Sequence, residues 1–331
     1  MAKILQVGLG PLGQKTVKFA LERGFKIVAA VDSNPSLIGK DVGEVCGLKK
    51  MNVKIHGTVK EALAKKKADI AVVTTVSSLA KLEGIVTDIA KQKLSIVSTC
   101  EELSYPWKIQ PKLSKKLDQI CKKYKISLLG TGVNPGFLMD FFPTVLTAVS
   151  KNVEKVEVIR VQNASVRRIP FQQKIGAGLT LTEFKKKEKE GTLRHVGLPE
   201  SVDFIAARMG WKLTKKTESL EPVIAKSDIN TGYMPIKAGD ACGVEQIGRG
   251  FVGSKEVITL HFRAAVGEEK SYDTVKITGE PNITSTIDGG VNGDIATCAI
   301  TLNAIRSVLE SKRIGLVTMS DITATAFSKV K

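Results

Sequence analysis

The sequence is poor in the residues that staple or anchor a chain. Its five cysteines, Cys46, Cys100, Cys121, Cys242 and Cys298, lie far apart and form no C-x-x-C pair, so neither a disulfide framework nor a zinc site is expected. Histidine is scarcer still, at three, and no metal is expected. A membrane-spanning run of about eighteen apolar residues is also missing. The longest candidate, Ile126 to Ser150, is broken by Asn134, Pro135, Asp140 and Pro143. The opening MAKILQVGLGPLG passes straight into a glycine pattern, without the h-region and cleavage site of a secretory signal. The expected compartment is the cytoplasm.

What is present is an ordinary globular composition, 43% hydrophobic and 25% charged, over 331 residues. At about 150 residues per domain this suggests two domains. Lys and Arg outnumber Asp and Glu to give a formal charge of +17, which raises the question of a polyanionic partner. The lysines, however, fall in helical stretches such as Lys112 to Lys125 and Lys185 to Lys189, interleaved with acidic or apolar positions. No basic stripe with interleaved aromatics occurs, so neither nucleic acid nor membrane is an expected partner.

Strand and helix patterns alternate through the first half. Apolar runs at Lys3 to Val7, Lys26 to Val31, Val53 to His56, Asp69 to Thr74, Ser95 to Ser98 and Ile126 to Leu129 are separated by helical spacings. These helices are expected at Pro11 to Arg23, from Thr58, at Leu79 to Gln92 and at Lys112 to Lys123. Six strands with crossover helices predict an α/β fold, a doubly wound parallel sheet of Rossmann type. Beyond about residue 150 the texture changes to long extended stretches at Val153 to Ala164, Ala241 to Gly253, Val257 to Ala265 and Ser271 to Thr278. A mostly antiparallel sheet is expected there, with helices at Leu179 to Glu190 and Ser201 to Met209. A last apolar helix, Ile295 to Glu310, is expected to return near the first domain.

The glycine pattern Gly8-Leu-Gly10-Pro11-Leu12-Gly13 follows the first strand and opens the first helix. In that context Gly8 serves the tight turn, Gly10 the approach of a pyrophosphate, and Gly13 close packing of helix on strand. Pro11 suits the first helical turn, whose amides face the phosphates. Asp32 stands nineteen residues after Gly13, where a carboxylate accepts from an adenosine ribose, and Ser33 rather than Arg follows it. NAD is therefore the expected cofactor, with NADP as a second. In such sheets ligands lie beyond the carboxyl ends of the strands, which brings in Thr74, Thr75, Thr99, Glu101, Glu102 and Asn134. A carboxylate there suits proton transfer beside a developing iminium, and both Glu101 and Glu102 qualify. Either one also reads as an ordinary helix-start charge. In the second half, Arg160, Asn163, Arg167, Arg168 and Lys174 cluster in IRVQNASVRRIPFQQK. An Arg fork suits a carboxylate, although strand alternation puts Arg160 and Asn163 on opposite faces unless the strand bends. His195 lies in the polar stretch TLRHVGLP.

The motifs VGLGPLG, STCEEL, GTGVNPGFLMD, IRVQNASVRR, QQKIGAG and GGVNGDIAT together resemble the 2,4-diaminopentanoate dehydrogenases and their relatives the native amine dehydrogenases. The resemblance covers nearly the whole chain and implies the architecture of dihydrodipicolinate reductase, although that enzyme's own His-His signature is absent. It implies a Rossmann domain over 1–135, an α+β substrate and dimerisation domain over 136–290, and a helix and tail over 291–331. It further implies oxidative deamination of 2,4-diaminopentanoate to 2-amino-4-oxopentanoate and ammonia with NAD(P), the reverse amination of ketones such as 4-oxopentanoate, and a homodimer. Glu102 falls on the catalytic glutamate, with Glu101 a bystander. Asn134, Arg160, Asn163 and His195 match substrate-polar positions, and Asn292 is placed near the nicotinamide. The competing readings are another imine reductase or dehydrogenase of the dihydrodipicolinate reductase type, or a non-catalytic dinucleotide-binding regulator. The roles of Arg167, Arg168 and Lys174 stay open.

Overall fold

The computed structural model describes residues 2–167, 169–193, 195–230 and 235–327. It separates into two compact units, Met1–Phe137 with Asn292–Lys331, and Leu138–Val291.

The first unit begins with the expected alternation. Strands β1 (Lys3–Val7) and β2 (Lys26–Val31) flank helix α1 (Pro11–Glu22). Then come α2 (Val42–Val45), β3 (Ile55–His56), α3 (Val59–Leu63), β4 (Ile70–Val73), α4 (Leu79–Lys91), β5 (Ser95–Ser98), α5 (Pro111–Tyr124) and β6 (Ser127–Gly130). Thr58 caps α3 by accepting from the Glu61 amide at 3.2 Å, the side-chain cap that a Thr-x-x-Glu start provides. The central strands are apolar on both faces: all four residues of β4 and all four of β6 are buried. Helices therefore cover both sides, as a parallel sheet requires.

The sheet has seven strands rather than six, because residues near the C-terminus supply an edge strand. Its order places β3, β2, β1, β4, β5 and β6 in succession, followed by a strand at Gly315–Val317 that runs parallel to β6. The apolar helix Gly293–Ser311 belongs to this unit. It meets α1 through Arg23, whose Nη1 donates to Asn303 Oδ1 at 2.6 Å.

The second unit contains α6 (Phe141–Leu146), β7 (Asn152–Asn163), α7 (Ile169–Lys174), α8 (Leu181–Lys189), α9 (Leu198–Met209), β8 (Lys215–Ile224), β9 (Ile229–Asn230) and β10 (Pro235–Ile236). It continues with β11 (Ala241–Val252), β12 (Lys255–Ala265), β13 (Tyr272–Glu280) and β14 (Ile283–Asp288). The two elements of the first unit that follow in chain order are α10 (Gly293–Ser311) and β15 (Gly315–Val317). A six-stranded sheet has the order β14, β13, β7, β12, β11, β8 and is antiparallel except between β7 and β12. One face of it takes α9, whose Leu198 and Val202 side chains reach the backbone at Gly248. Side chains alternate along each strand, and those on the other face are half-exposed, with Ile159, His261 and Ile247 in one row.

Candidate active site

Gly8 follows β1 with a φ of +90°, a conformation that glycine adopts without strain. A Cβ there would sit 2.7 Å from the Thr74 carbonyl oxygen, and one on Gly13 would collide with the carbonyl oxygen of Gly8. Gly10 is the opposite case, with nothing within 4 Å of where its Cβ would be. That space opens at the N-terminus of α1, where Pro11 takes an initial position and no side chain caps the helix, leaving amides for an anion. Asp32 braces the same loop, accepting from the Leu9 amide at 2.6 Å through Oδ2 and from Asn34 at 2.8 Å through Oδ1.

Gln6 is a member of this cradle that the sequence reading missed. It is fully buried in β1 and donates from Nε2 to the Gly8 carbonyl and to Thr74 Oγ1, both at 2.8 Å. Its signal was a lone polar residue in the apolar strand KILQV. The cleft beside these groups has a volume of about 580 Å³ and is walled by Gly8, Gly10, Asp32, Ser33, Thr74 and Thr75, with Lys81 and Asp88 contributed by α4. Its size is that of a small-ligand site, and the open ground at Gly10 with uncapped amides fits a dinucleotide pyrophosphate. Pro11, Leu12, Gly13, Thr99 and Asn292 are not on this wall. Asn292 is engaged as the N-cap of α10, accepting from Asp294 and Ile295, each at 3.1 Å. Thr99 donates its amide to Val73 at 3.0 Å.

Glu102 lies in a single 3-10 turn, Glu101–Leu103, just beyond β5. It is half-buried. Its Oε2 accepts from the Leu79 amide at 2.8 Å and from Gln110 Nε2 at 2.7 Å. Its own amide donates to the Ser77 carbonyl at 3.2 Å. The carboxylate thus stands at the start of α4, where the helix dipole favours an anion and where the N-cap residue Ser78 makes no side-chain cap bond. Among the described residues no hydrogen bond reaches Oε1. Asn134, also on this unit, is buried just after β6.

The remaining candidates lie on the second unit. Asp273, Arg160, Phe262 and Gln246 are direct register partners across β13, β7, β12 and β11, so their side chains share one face. Arg160 is 3% exposed. Its Nη1 donates to Asp273 Oδ1 at 2.8 Å, its Nη2 to the Val291 carbonyl at 3.0 Å, and Asp273 Oδ2 accepts from the Val291 amide at 2.8 Å. The fork expected to lie open toward a carboxylate already has these partners within the unit. Burial lowers the Arg160 pKa and raises that of Asp273, in both cases against their mutual attraction.

His195 packs its ring on Phe262, with centroids 4.5 Å apart, and donates its amide to Gln246 Oε1 at 2.8 Å. Burial, then the positive charges of Lys174 and Arg160, push the imidazole down to about 3, so it is neutral at physiological pH. Lys174 and Arg167 therefore share an electrostatic neighbourhood with His195 and Arg160. Arg167 also lies over the Phe171 ring at 4.1 Å, and Arg168 falls outside the described residues. Asn163 is not brought to Arg160. The register of β7 on β12 is unbroken from Val156 to Asn163, so the bend that would join them is absent. Asn163 Oδ1 instead accepts from the Ser165 amide at 2.8 Å.

Comparison with known proteins divides the chain once, near residue 137, and counts α10 and β15 with the second part. Residues 2–100 match the dihydrodipicolinate reductase N-terminal family, and residues 137–329 match the 2,4-diaminopentanoate dehydrogenase C-terminal domain. The 2,4-diaminopentanoate dehydrogenase of Acetoanaerobium sticklandii is 31% identical, over 97% of this chain and 93% of that one. The chain belongs to the 2,4-diaminopentanoate dehydrogenase family. It is accordingly an oxidoreductase that uses NAD(P). Among solved structures, an amine dehydrogenase from Mycobacterium smegmatis superposes with a TM-score of 0.87 at 23% identity, covering 99% of this chain and 98% of that one. The WlbA dehydrogenase of Bordetella pertussis, solved with NADH and UDP-GlcNAcA, gives a TM-score of 0.54 at 12% identity, covering 92% and 87%. These two likenesses establish the fold.

Proposed function

We propose that the protein catalyses NAD(P)-dependent oxidative deamination of 2,4-diaminopentanoate, releasing ammonia and 2-amino-4-oxopentanoate, and the reverse amination of ketones such as 4-oxopentanoate. The observation that carries this reading is the Glu102 carboxylate, half-buried beyond β5 at the same carboxyl-end edge of the sheet as the glycine loop. NAD(P), when bound by the loop of Gly8 to Gly13 and by Asp32, supplies the hydride acceptor. Glu102 takes a proton from the substrate ammonium, so that the hydride leaves a carbon bearing a neutral amine. Once it has passed that proton on to solvent, the restored carboxylate offsets the iminium charge and accepts a proton from the attacking water, which it then returns to the departing amine. One water is consumed, and ammonia departs as the carbonyl forms.

Asn134 and His195 are assigned to the substrate's carboxylate and neighbouring amino group, whereas Asn163, turned to the other face of β7 from Arg160, is left out of that set. Neutral His195 serves there as a hydrogen-bonding group, and Arg160 contributes charge while its fork holds Asp273 and Val291. The reading includes a cytoplasmic homodimer. The half-exposed sheet face that carries Ile159 and Ile247, and the Arg263–Glu245 pair, is the surface it would use, and sedimentation reads the dimer directly.

The test is dihydronicotinamide absorbance with 2,4-diaminopentanoate and NAD or NADP at alkaline pH, beside the reverse reaction with NADH, ammonia and 4-oxopentanoate. Ammonia-dependent turnover is expected. Absence of turnover in both directions, from protein that binds NADH, overturns the reading. Glu102→Ala is expected to lower kcat at least about 100-fold while NADH still binds, as followed by fluorescence titration.

A further inference from the structure

The Glu102 carboxylate has two unlike oxygens. Oε2 accepts two hydrogen bonds, one from a backbone amide at the start of α4 and one from the Gln110 side chain, whereas no such bond reaches Oε1 among the described residues. The backbone donor is fixed by its helix. Gln110 is fixed too: its amide donates to the Pro106 carbonyl at 2.9 Å, and its carbonyl accepts from the Ser114 amide at 2.9 Å and from Ser114 Oγ at 2.7 Å. Ser114 is completely buried on α5. Gln110 is the N-cap residue of α5, yet its side chain makes no cap bond to that helix. It reaches back across the turn to Glu102 instead.

A side chain that leaves its own helix uncapped to hold a carboxylate on the neighbouring turn is placed for that carboxylate. Two donors converging on one oxygen remove the rotation about the last bond of Glu102. A carboxylate held by one bond alone swings its second oxygen freely. We propose that Gln110 is a positioning residue for the deamination: with the Leu79 amide it pins Oε2 and leaves Oε1 as the oxygen that exchanges the proton. The inference rests on the assignment of Glu102 made above. General-base efficiency depends on the carboxylate being held at hydrogen-bonding reach of the proton it takes. Loss of the Gln110 bond therefore acts on the chemical step and leaves cofactor binding alone, since Gln110 is not on the cleft wall.

The experiment compares Gln110→Leu, which keeps the bulk and removes the donor, with Gln110→His, whose Nε2 retains one at similar reach. Steady-state kinetics in both directions are read beside NADH titration and thermal melting. In Gln110→Leu, kcat is expected to fall about 10- to 100-fold, the range for losing a group that orients a reacting one. The KM values and the NADH dissociation constant stay within about twofold, and Gln110→His recovers most of the loss. Wild-type kcat in Gln110→Leu, beside a dead Glu102→Ala, overturns the inference and leaves the role of Glu102 standing. Equal losses in the Leu and His variants that track a fall in melting temperature overturn it as well, in favour of a purely structural role. Wild-type turnover that survives Glu102→Ala overturns the role assigned to Glu102 and this inference with it, while the deamination reading stands.

Discussion

Asp32 divides its carboxylate between two backbone amides, Leu9 and Asn34, and still lines the cleft. Each oxygen keeps a lone pair for a ribose hydroxyl, and its charge repels a 2′-phosphate. Asp32→Asn is expected to weaken NAD about tenfold, the loss of one charge-assisted hydrogen bond, and to raise the NADP-to-NAD ratio of kcat/KM. Steady-state kinetics with the two cofactors check both effects. A ratio that stays at the wild-type value would remove Asp32 from cofactor selection. The glycine loop was visible in the sequence because it sits in a short contiguous motif at a strand end, whereas the choice of Glu102 over Glu101 rested on the family resemblance. Gln6 and Gln110 were not visible, because a deciding partner of each is met only in space: Thr74 lies just past another strand, and Glu102 across a turn whose path no local spacing records.

Among the elements, the deeply buried apolar strands of the first unit were read correctly because both faces carry the signal. The misses are the short helices α2, α6 and α7, the small β9–β10 pair, and edge strands of the two large sheets. β8 reads KKTESLEPVI and β14 reads ITSTID, with few buried positions, since an edge strand with one wet face has little hydrophobic pattern to show. β15 is three residues long, too short for periodicity. Arg160 was read as an open fork for the same kind of reason, since Asp273 belongs to a neighbouring strand and lies 113 positions away. That pair clamps Val291 from both sides through its amide and its carbonyl. Asp273→Ala leaves a buried guanidinium without its counter-charge and is expected to cost about 3–5 kcal/mol, whereas Arg160→Met with Asp273→Leu costs clearly less. Urea denaturation of the three proteins distinguishes them. A double variant no more stable than Asp273→Ala would mean that the Val291 bonds, not the unpaired charge, carry the energy.

On the scale of the whole molecule, the formal charge of +17 is left unchanged by ion pairs such as Lys155–Glu256, Lys276–Glu157 and Arg263–Glu268, since each joins one cation to one anion. Such half-exposed surface pairs contribute modestly to stability. The first unit owes more to its last strand. Leu316, Val317 and Met319 are buried, and the Leu316 amide donates to Asp118 at 3.1 Å. Ending the chain after Ser311 removes the four buried apolar side chains Leu316, Val317, Met319 and Ile322, worth about 1.5–3 kcal/mol each, and bares the edge of β6. The melting temperature is expected to fall by roughly 10 °C or more. Unchanged melting would mean that β15 is dispensable to the sheet. The same closure sets a timetable for synthesis. About 185 residues separate Gly130 from Gly315, and at ribosomal speed they take roughly 10–40 s to make. Throughout that interval the nascent sheet offers an unpaired strand to any neighbouring chain. The half of the protein that emerges first from the ribosome is the last to be finished, so a stalled or shortened translation product would be sticky as well as inactive.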